Sequence, residues 1–383
     1  MQHSFSSQFK NIFLILAIGA FSGCGKKQPT RIAPEIAISA CTAEINPSIE
    51  LYSIYGTFEI TEPVIIDLLS SSAMQRLKKI NQHGINDIVK PEWAFSRYDH
   101  SVGVFLLTRM FGGSLEEQVA ALLHDVSHTV FSHVGDLVFA APSDLEADHA
   151  YQDDIHEWFV EQTDLAPILH RYGMRHVVTD EAKNKFRLLE QDYPDICADR
   201  LDYQLRTAHI VGLITLIDVQ NLLQQIRFEN GLWFFDDVYA ARKFCDASMW
   251  LTCNMYAAPF NVYLYKLAAD AFKRAMEIGL ISAKEMHFST DDTIWNRIQQ
   301  SNDPVLQDLL KHIDQYETAF EVTDVANYDY FKKSKCRVID PLVVVGEDLV
   351  RLTFADAEFE QEYEAIQKHC AEGVYLKFKS IGL

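Results

Sequence analysis

The sequence predicts a mainly α-helical protein that ends in a small α+β portion, and two patterns carry that expectation. From Leu264 to Ile278, residues Leu264, Leu267, Ala268, Ala271 and Ala275 fall on one face of a 3.6-residue repeat, with Gly279 as a stop. Near the C-terminus the period changes to two: Val374, Leu376 and Phe378 alternate with Tyr375, Lys377 and Lys379. The chain has 383 residues, 48% of them hydrophobic, enough for one large domain or two ordinary ones with a well-buried core. Its formal charge of -20 argues against a general binder of nucleic acid or anionic membrane, which needs a basic surface. A small phosphorylated substrate stays compatible, because a bound metal and a few local Arg or Lys residues reverse the field inside a pocket.

Taken in order, the first residues read as a leader. Lys10 precedes the apolar run Ile12 to Ile18, which is too short to span a bilayer comfortably, and small residues lead to Cys24. Phe21-Ser22-Gly23-Cys24 resembles the bacterial lipobox, with Phe21 a less usual occupant of its position. Residues 1–23 are therefore expected to be a signal peptide, and 24–48 a lipidated Cys24 followed by a tether. Gly25 after the cysteine favours outer-membrane sorting, so the expected location is the cell envelope, as an outer-membrane lipoprotein held to the membrane by its lipid. A signal anchor and an unlipidated signal are the alternatives.

Residues 49–335 read as the helical body and 336–383 as an α+β appendage. Leu115 to Ser132 carries apolar Val119, Leu122, Leu123 and Val126, with Glu116 and Glu117 in the first turn where the helix dipole favours acids. Asp195 to Ala208 is a further helix candidate. In the tail, Val338 to Val345 and Leu349 to Phe354 are β-rich and Glu358 to His369 is helical. Cys41, Cys197, Cys245, Cys253, Cys336 and Cys370 follow no CxxC or zinc-ribbon spacing, so neither a cysteine metal site nor a disulfide pairing is deduced.

The chemistry concentrates between Arg97 and Asp202. Arg97-Tyr98-Asp99-His100 is followed by His124-Asp125, by His128 and His133, and then by Asp199-Arg200-Leu201-Asp202-Tyr203. Imidazoles beside carboxylates suit Mn, Fe, Co, Ni or Zn better than Mg alone, which prefers an all-oxygen shell. A lone His-Asp pair is more often a surface or core feature than a metal site. Here the pair interrupts the apolar run Ala120-Ala121-Leu122-Leu123, where burying it without a partner or metal would cost several kcal/mol.

His100, His124-Asp125 and Asp199 resemble the H…HD…D pattern of the HD phosphohydrolase superfamily. The similarity is closest to the deoxynucleoside-triphosphate triphosphohydrolase branch, which includes the SAM-and-HD-domain proteins. It extends through Tyr55-Gly56-Thr57-Phe58-Glu59-Ile60, the run from Gln75 to Gln82, the run from Arg97 to Val104, the run from Ala121 to His128, Phe131-Ser132-His133 and the run from Asp199 to Tyr203. The resemblance implies a mainly α-helical HD-domain fold with His100, His124, Asp125 and Asp199 as ligands of a divalent transition metal. It implies His128, Asp136 and His149 as catalytic, with Asp148 or His156 as alternatives to His149, and His133 against the phosphate or the leaving oxygen. Arg97, Arg200 and Tyr203 would contact phosphates and Gln82 the sugar. Arg97 could instead pair with Asp99 or another surface acid, and Asp202 with Arg206 as a structural ion pair.

Some positions depart from that branch. Thr207 stands where it places an acid against the sugar hydroxyl, Ser127 and Thr129-Val130 replace glycines and proline, and Ala257-Ala258-Pro259 replaces basic residues. The ligand pattern is whole, and the departures fall on parts that set specificity. The expectation is a metal-dependent phosphohydrolase acting on nucleotides or another small phosphate ester, with triphosphate release as its leading form. A 5′-nucleotidase or phosphodiesterase, and a non-catalytic envelope nucleotide-binding module, are the alternatives. Self-association as a homo-oligomer is implied by the resemblance alone.

Overall fold

The computed structural model describes residues 48–139, 150–179, 185–333 and 335–380. Cys24, Cys41 and His149 lie outside the described residues. No helix among the described residues is long and apolar enough to cross a membrane. The first described element is a hairpin of β1 (Ile49–Ser53) and β2 (Gly56–Ile60), paired antiparallel with Ile49 opposite Ile60.

Helices dominate the body after this hairpin, as expected. Those that build the site and its surroundings are α1 (Arg97–Met110), α2 (Leu115–Leu123), α3 (Val134–Phe139), α4 (Ala198–Ile210), α5 (Val238–Leu251) and α6 (Pro259–Glu277). Helix α1 starts at a capping box, in which Ser96 and Asp99 satisfy each other's backbone N–H. It packs against α2 and α4, and α4 packs against α5. Val104, Phe105, Leu106, Leu107, Leu201 and Leu205 are fully buried between them. This packing brings together the start of α1, the end of α2 and the start of α4. In α6 the predicted face is the buried one: Leu264, Leu267, Ala268, Ala271 and Ala275 all lie in the core, and Gly279 follows the helix with φ +71°.

Three expectations are corrected. The helix read from Leu115 to Ser132 stops at Leu123, and residues 124–133 run as successive turns. Here outside acceptors win over helix continuation: Val130 N–H bonds Met286 O (2.9 Å), and Phe131 N–H bonds the Asp291 carboxylate (2.7 Å). Phe131 (φ 60°) and Ser132 (φ 55°) are left-handed, which no helix tolerates. Second, the helix expected from Asp195 begins at Ala198. Third, the β-rich run to Phe354 ends earlier, because Leu352–Ala355 is a short helix.

The tail is joined to the body through shared sheets. β3 (Ile226–Glu229) and β4 (Leu232–Phe235) form a hairpin around Asn230-Gly231, both at positive φ as a type I′ turn requires. β5 (Phe320–Val322) and β6 (Tyr330–Lys332) flank β9 (Val374–Phe378), and β7 (Leu342–Val345) pairs with β8 (Asp348–Arg351). β7 also adds to β4 in parallel. Both larger sheets therefore cross the boundary expected between 335 and 336. A helix α7 (Ala357–Glu372) precedes β9, as expected, and Val374 and Leu376 are the buried positions of that strand.

Candidate metal centre and active site

His100 sits in the first turn of α1, and its imidazole is 1% exposed. Its Nδ1–H donates to Asp202 (2.9 Å), which fixes the tautomer and leaves the Nε2 lone pair free. That lone pair points at Asp199 (3.0 Å), Asp125 (3.4 Å) and His124 Nε2 (3.3 Å). His124, just past the end of α2, is fixed in the same way: its Nδ1–H donates to the Ala121 carbonyl (2.8 Å). Its Nε2 lies 3.6 Å from both Asp125 and Asp199. Two ring lone pairs and two carboxylates thus converge on one point. Four electron-rich groups at such distances repel one another unless a cation lies between them, so the residues present fit a divalent metal. The ligand atoms of His100, His124 and Asp125 all lie within 4.8 Å of one another.

The electrostatics agree with this reading. Burial disfavours the charged form of His124, yet Asp125 and Asp199 outweigh it and raise its pKa to about 9. Burial opposes the charge on Asp199 too, but with no metal between them His100 and His124 take up protons at Nε2, and their hydrogen bonds hold its carboxyl far below the usual range. The cluster draws positive charge strongly, whether a proton or a metal.

Asp202 does more than pair with Arg206. Its carboxylate accepts from His100, from the Tyr55 hydroxyl (2.7 Å) and from two nitrogens of Arg206 (2.8 and 3.1 Å), and it is fully buried. Gly103 makes room for it: a Cβ there would stand 1.8 Å from Asp202 Oδ1. The role of Asp202 in orienting His100, and that of Tyr55, are not evident from the sequence reading. The i, i+3 spacing of Asp199 and Asp202 on one helix is the available signal.

Around the cluster, Arg97 turns inward. Asp99 belongs to the helix cap, and the Arg97 guanidinium instead pairs with Asp125, donates to Ser132 Oγ (2.9 Å) and reaches the Gln82 carbonyl (3.3 Å). His128 Nε2 is 3.2 Å from Asp125 Oδ1. Burial and then Arg97 push its pKa down to about 3, so a neutral ring donates Nε2–H to Asp125. His133, 4.8 Å from the His128 ring centre, bonds Asp136 through Nδ1 (3.0 Å) and is part-exposed. Burial opposes the Asp136 charge, but His133 and His128 keep its carboxyl below the usual range, hence ionised. Asp136 also accepts from Tyr151 N–H (3.0 Å). His156, an alternative to His149, lies elsewhere: its Nδ1 is 3.2 Å from Ser127 Oγ.

On the α4 side, the Tyr203 ring is 6.4 Å from His100 and 6.0 Å from Tyr256. Gln82 is 9% exposed, and its Oε1 is buried without a partner, an orphan acceptor facing no protein donor. Arg200 is placed differently from expectation. It bonds Glu190 (2.8 Å) and the carbonyls of Asp195 (2.7 Å) and Gln191 (2.6 Å), and it stacks 4.0 Å over Tyr193. Glu190, raised to about 7 by burial and by Asp199, also lies within reach of Asp199 and Cys197.

Comparison with known proteins settles the family. Residues 97–202, which contain all four expected ligands, match the HD domain. The chain is 32% identical over 257 residues to the metal-dependent phosphohydrolase cns2 of Cordyceps militaris, covering 66% of this chain and 73% of that protein. The chain belongs to the HD-domain phosphohydrolase superfamily. It is an HD-type, metal-dependent hydrolase. A further relative, the uncharacterized protein YdhJ of Bacillus subtilis, is 34% identical over 326 residues, 85% of this chain and 97% of that one. The deoxynucleoside triphosphate triphosphohydrolase SAMHD1 of Danio rerio is more distant, 29% identical over 140 residues, 32% of this chain and 22% of that protein.

Proposed function

We propose that this phosphohydrolase acts on nucleotides and, as its leading form, cleaves a deoxynucleoside triphosphate into a nucleoside and inorganic triphosphate. The observation that carries the reading is the pairing of the four-ligand cluster with a part-exposed His133–Asp136 dyad beside it, flanked by Arg97. The similarity to SAMHD1 and the ordered motifs around the site support the substrate class.

In this mechanism His100, His124, Asp125 and Asp199 hold the metal. A divalent ion bound there supplies Lewis-acid polarisation of the phosphoryl group and lowers the pKa of water. The chain's own groups do the remainder. Water adds to the phosphorus next to the sugar, the phosphorus–O5′ bond breaks, and O5′ takes up a proton. His133, when doubly protonated, donates that proton from Nε2, while the Asp136 carboxylate stabilises the charged ring and holds its orientation. Arg97 balances Asp125 and adds positive charge beside the place where negative charge grows on the phosphoryl oxygens. His128 stays neutral and fixes the Asp125 carboxylate. Gln82 offers its orphan oxygen to a hydroxyl of the sugar, and Tyr203 lines the path of the phosphates.

The test is product analysis. The soluble chain beginning after Cys24 is supplied in turn with Mn, Fe, Co, Ni, Zn or Mg and given dNTPs, NTPs, monophosphates and a phosphodiester, with orthophosphate, pyrophosphate and triphosphate resolved. Triphosphate release from dNTPs is the expected result. Orthophosphate alone, or diester cleavage alone, would keep the hydrolase and overturn this substrate.

A further inference from the structure

We infer that Arg337, from the segment that leads into the C-terminal sheet, binds an anionic group of the substrate beyond the phosphate undergoing cleavage. The inference rests on the nucleotide reading above and refines it, by naming a residue for the distal phosphates. Arg97 pairs with Asp125, Arg200 with Glu190 and Arg206 with Asp202, so each of these charges is already offset by a carboxylate. Among the described residues, no carboxylate pairs with Arg337. Its guanidinium lies instead over two phenol rings, 5.6 Å from the centre of Tyr203 and 5.8 Å from that of Tyr256.

Those rings lie next to the metal cluster, since Tyr203 is itself 6.4 Å from His100 and 6.0 Å from Tyr256. The guanidinium also hydrogen-bonds the Tyr203 hydroxyl, a neutral partner that an oxyanion would outcompete, and the aromatic faces add only modest stabilisation. A partly buried cation without an anionic partner is costly, and a polyphosphate arriving beside it would remove that cost. The side chain is also held in place from behind. The Arg337 carbonyl accepts from Gln204 Nε2 on α4 (3.3 Å) and from Ser248 Oγ on α5 (3.4 Å), so its backbone is tied to both helices. A bidentate group on a fixed backbone beside the cluster suits an oxyanion of a phosphate chain better than a neutral group.

Calorimetric titration with inorganic tripolyphosphate and, separately, orthophosphate tests this without depending on turnover. The metal-loaded wild-type chain is compared with Arg337→Ala and the shorter, neutral but polar Arg337→Gln, each checked for an unchanged thermal unfolding transition. Tripolyphosphate affinity is expected to fall about tenfold or more in both variants, the loss of one charge-assisted bidentate contact, with orthophosphate affinity changed less than about twofold. Steady-state kinetics on a nucleoside triphosphate would show KM rising by a similar factor with kcat nearly kept. Equal tripolyphosphate affinity in a folded variant, or no tripolyphosphate binding by the wild-type chain, would overturn the inference. Tripolyphosphate binding that depends on Arg337, without turnover of any nucleotide, would sink the nucleotide reading and leave the anion site standing.

Discussion

At the scale of single residues, the site depends on proton positions set one bond away from the metal ligands. His100 presents its Nε2 lone pair because Asp202 takes the proton at Nδ1, and Asp202 is held by Tyr55 and Arg206. Two substitutions separate these supports. Asp202→Asn turns an N–H group toward Arg206 or His100 and leaves a buried guanidinium without its counter-charge. It is expected to weaken metal binding by about 10- to 100-fold, read by chelator competition, together with a clear loss of stability. Tyr55→Phe removes one of several bonds to the same carboxylate. It is expected to cost about 1 kcal/mol of stability and to leave metal affinity within a few-fold. Equal effects of the two on metal affinity would contradict the orienting role of Asp202. The ligand residues themselves are legible in the sequence, because His124-Asp125 breaks an apolar run and its partners follow in a specific order. The roles of Asp202, Tyr55 and Arg337 are not. Their contacts span 102, 147 and over 130 positions of chain, and residue type alone does not predict such meetings.

At the scale of elements, the turn after α2 does the shaping. The sequence pattern continues helically to Ser132, but the left-handed Phe131 and Ser132 redirect His133 toward His128 and Asp136. Asp291 secures that turn from outside, accepting Phe131 N–H (2.7 Å) with one oxygen and Asn81 N–H (2.8 Å) with the other. Burial raises the Asp291 pKa to about 7 from an ordinary 3.8, against the two N–H groups and Arg76, with Asp87 adding to the rise. A folded pKa above the unfolded one means that the group's stabilising contribution is present below about 3.8 and is lost as pH rises through about 7. Asp291→Asn cannot ionise. The stability of the wild type relative to Asp291→Asn, from chemical denaturation, is therefore expected to fall by a few kcal/mol between those limits. A difference that stays level or grows with pH would contradict it. No local signal marks this turn, because its cause lies in acceptors supplied by residues 286 and 291. The β3–β4 hairpin is the opposite case. Asn230-Gly231 between aromatic and aliphatic residues is a type I′ signal that local chemistry does make readable, inside a body whose reading is otherwise helical.

At the scale of the whole molecule, the mainly helical body and the α+β tail are both foreseeable, but not their connection. β7 extends a sheet begun by β3 and β4, so the tail is built into the body, and Arg337 lies a few residues before that strand. Pairing across that distance leaves no trace in local periodicity. Within a chain of net charge -20, Arg97 is the cation that the site itself places beside the metal position, paired with Asp125. Hydrolysis at the metal cluster depends on a bound divalent ion. The most direct measurement is to strip the purified chain with a chelator, return one metal at a time, and record bound metal and phosphate-ester turnover together for the wild type and Asp125→Ala. Activity that vanishes on stripping, returns in proportion to about one or two equivalents of bound ion, and fails to return in Asp125→Ala is the predicted result. Turnover that persists in the stripped chain, or that Asp125→Ala retains at full rate, would contradict it.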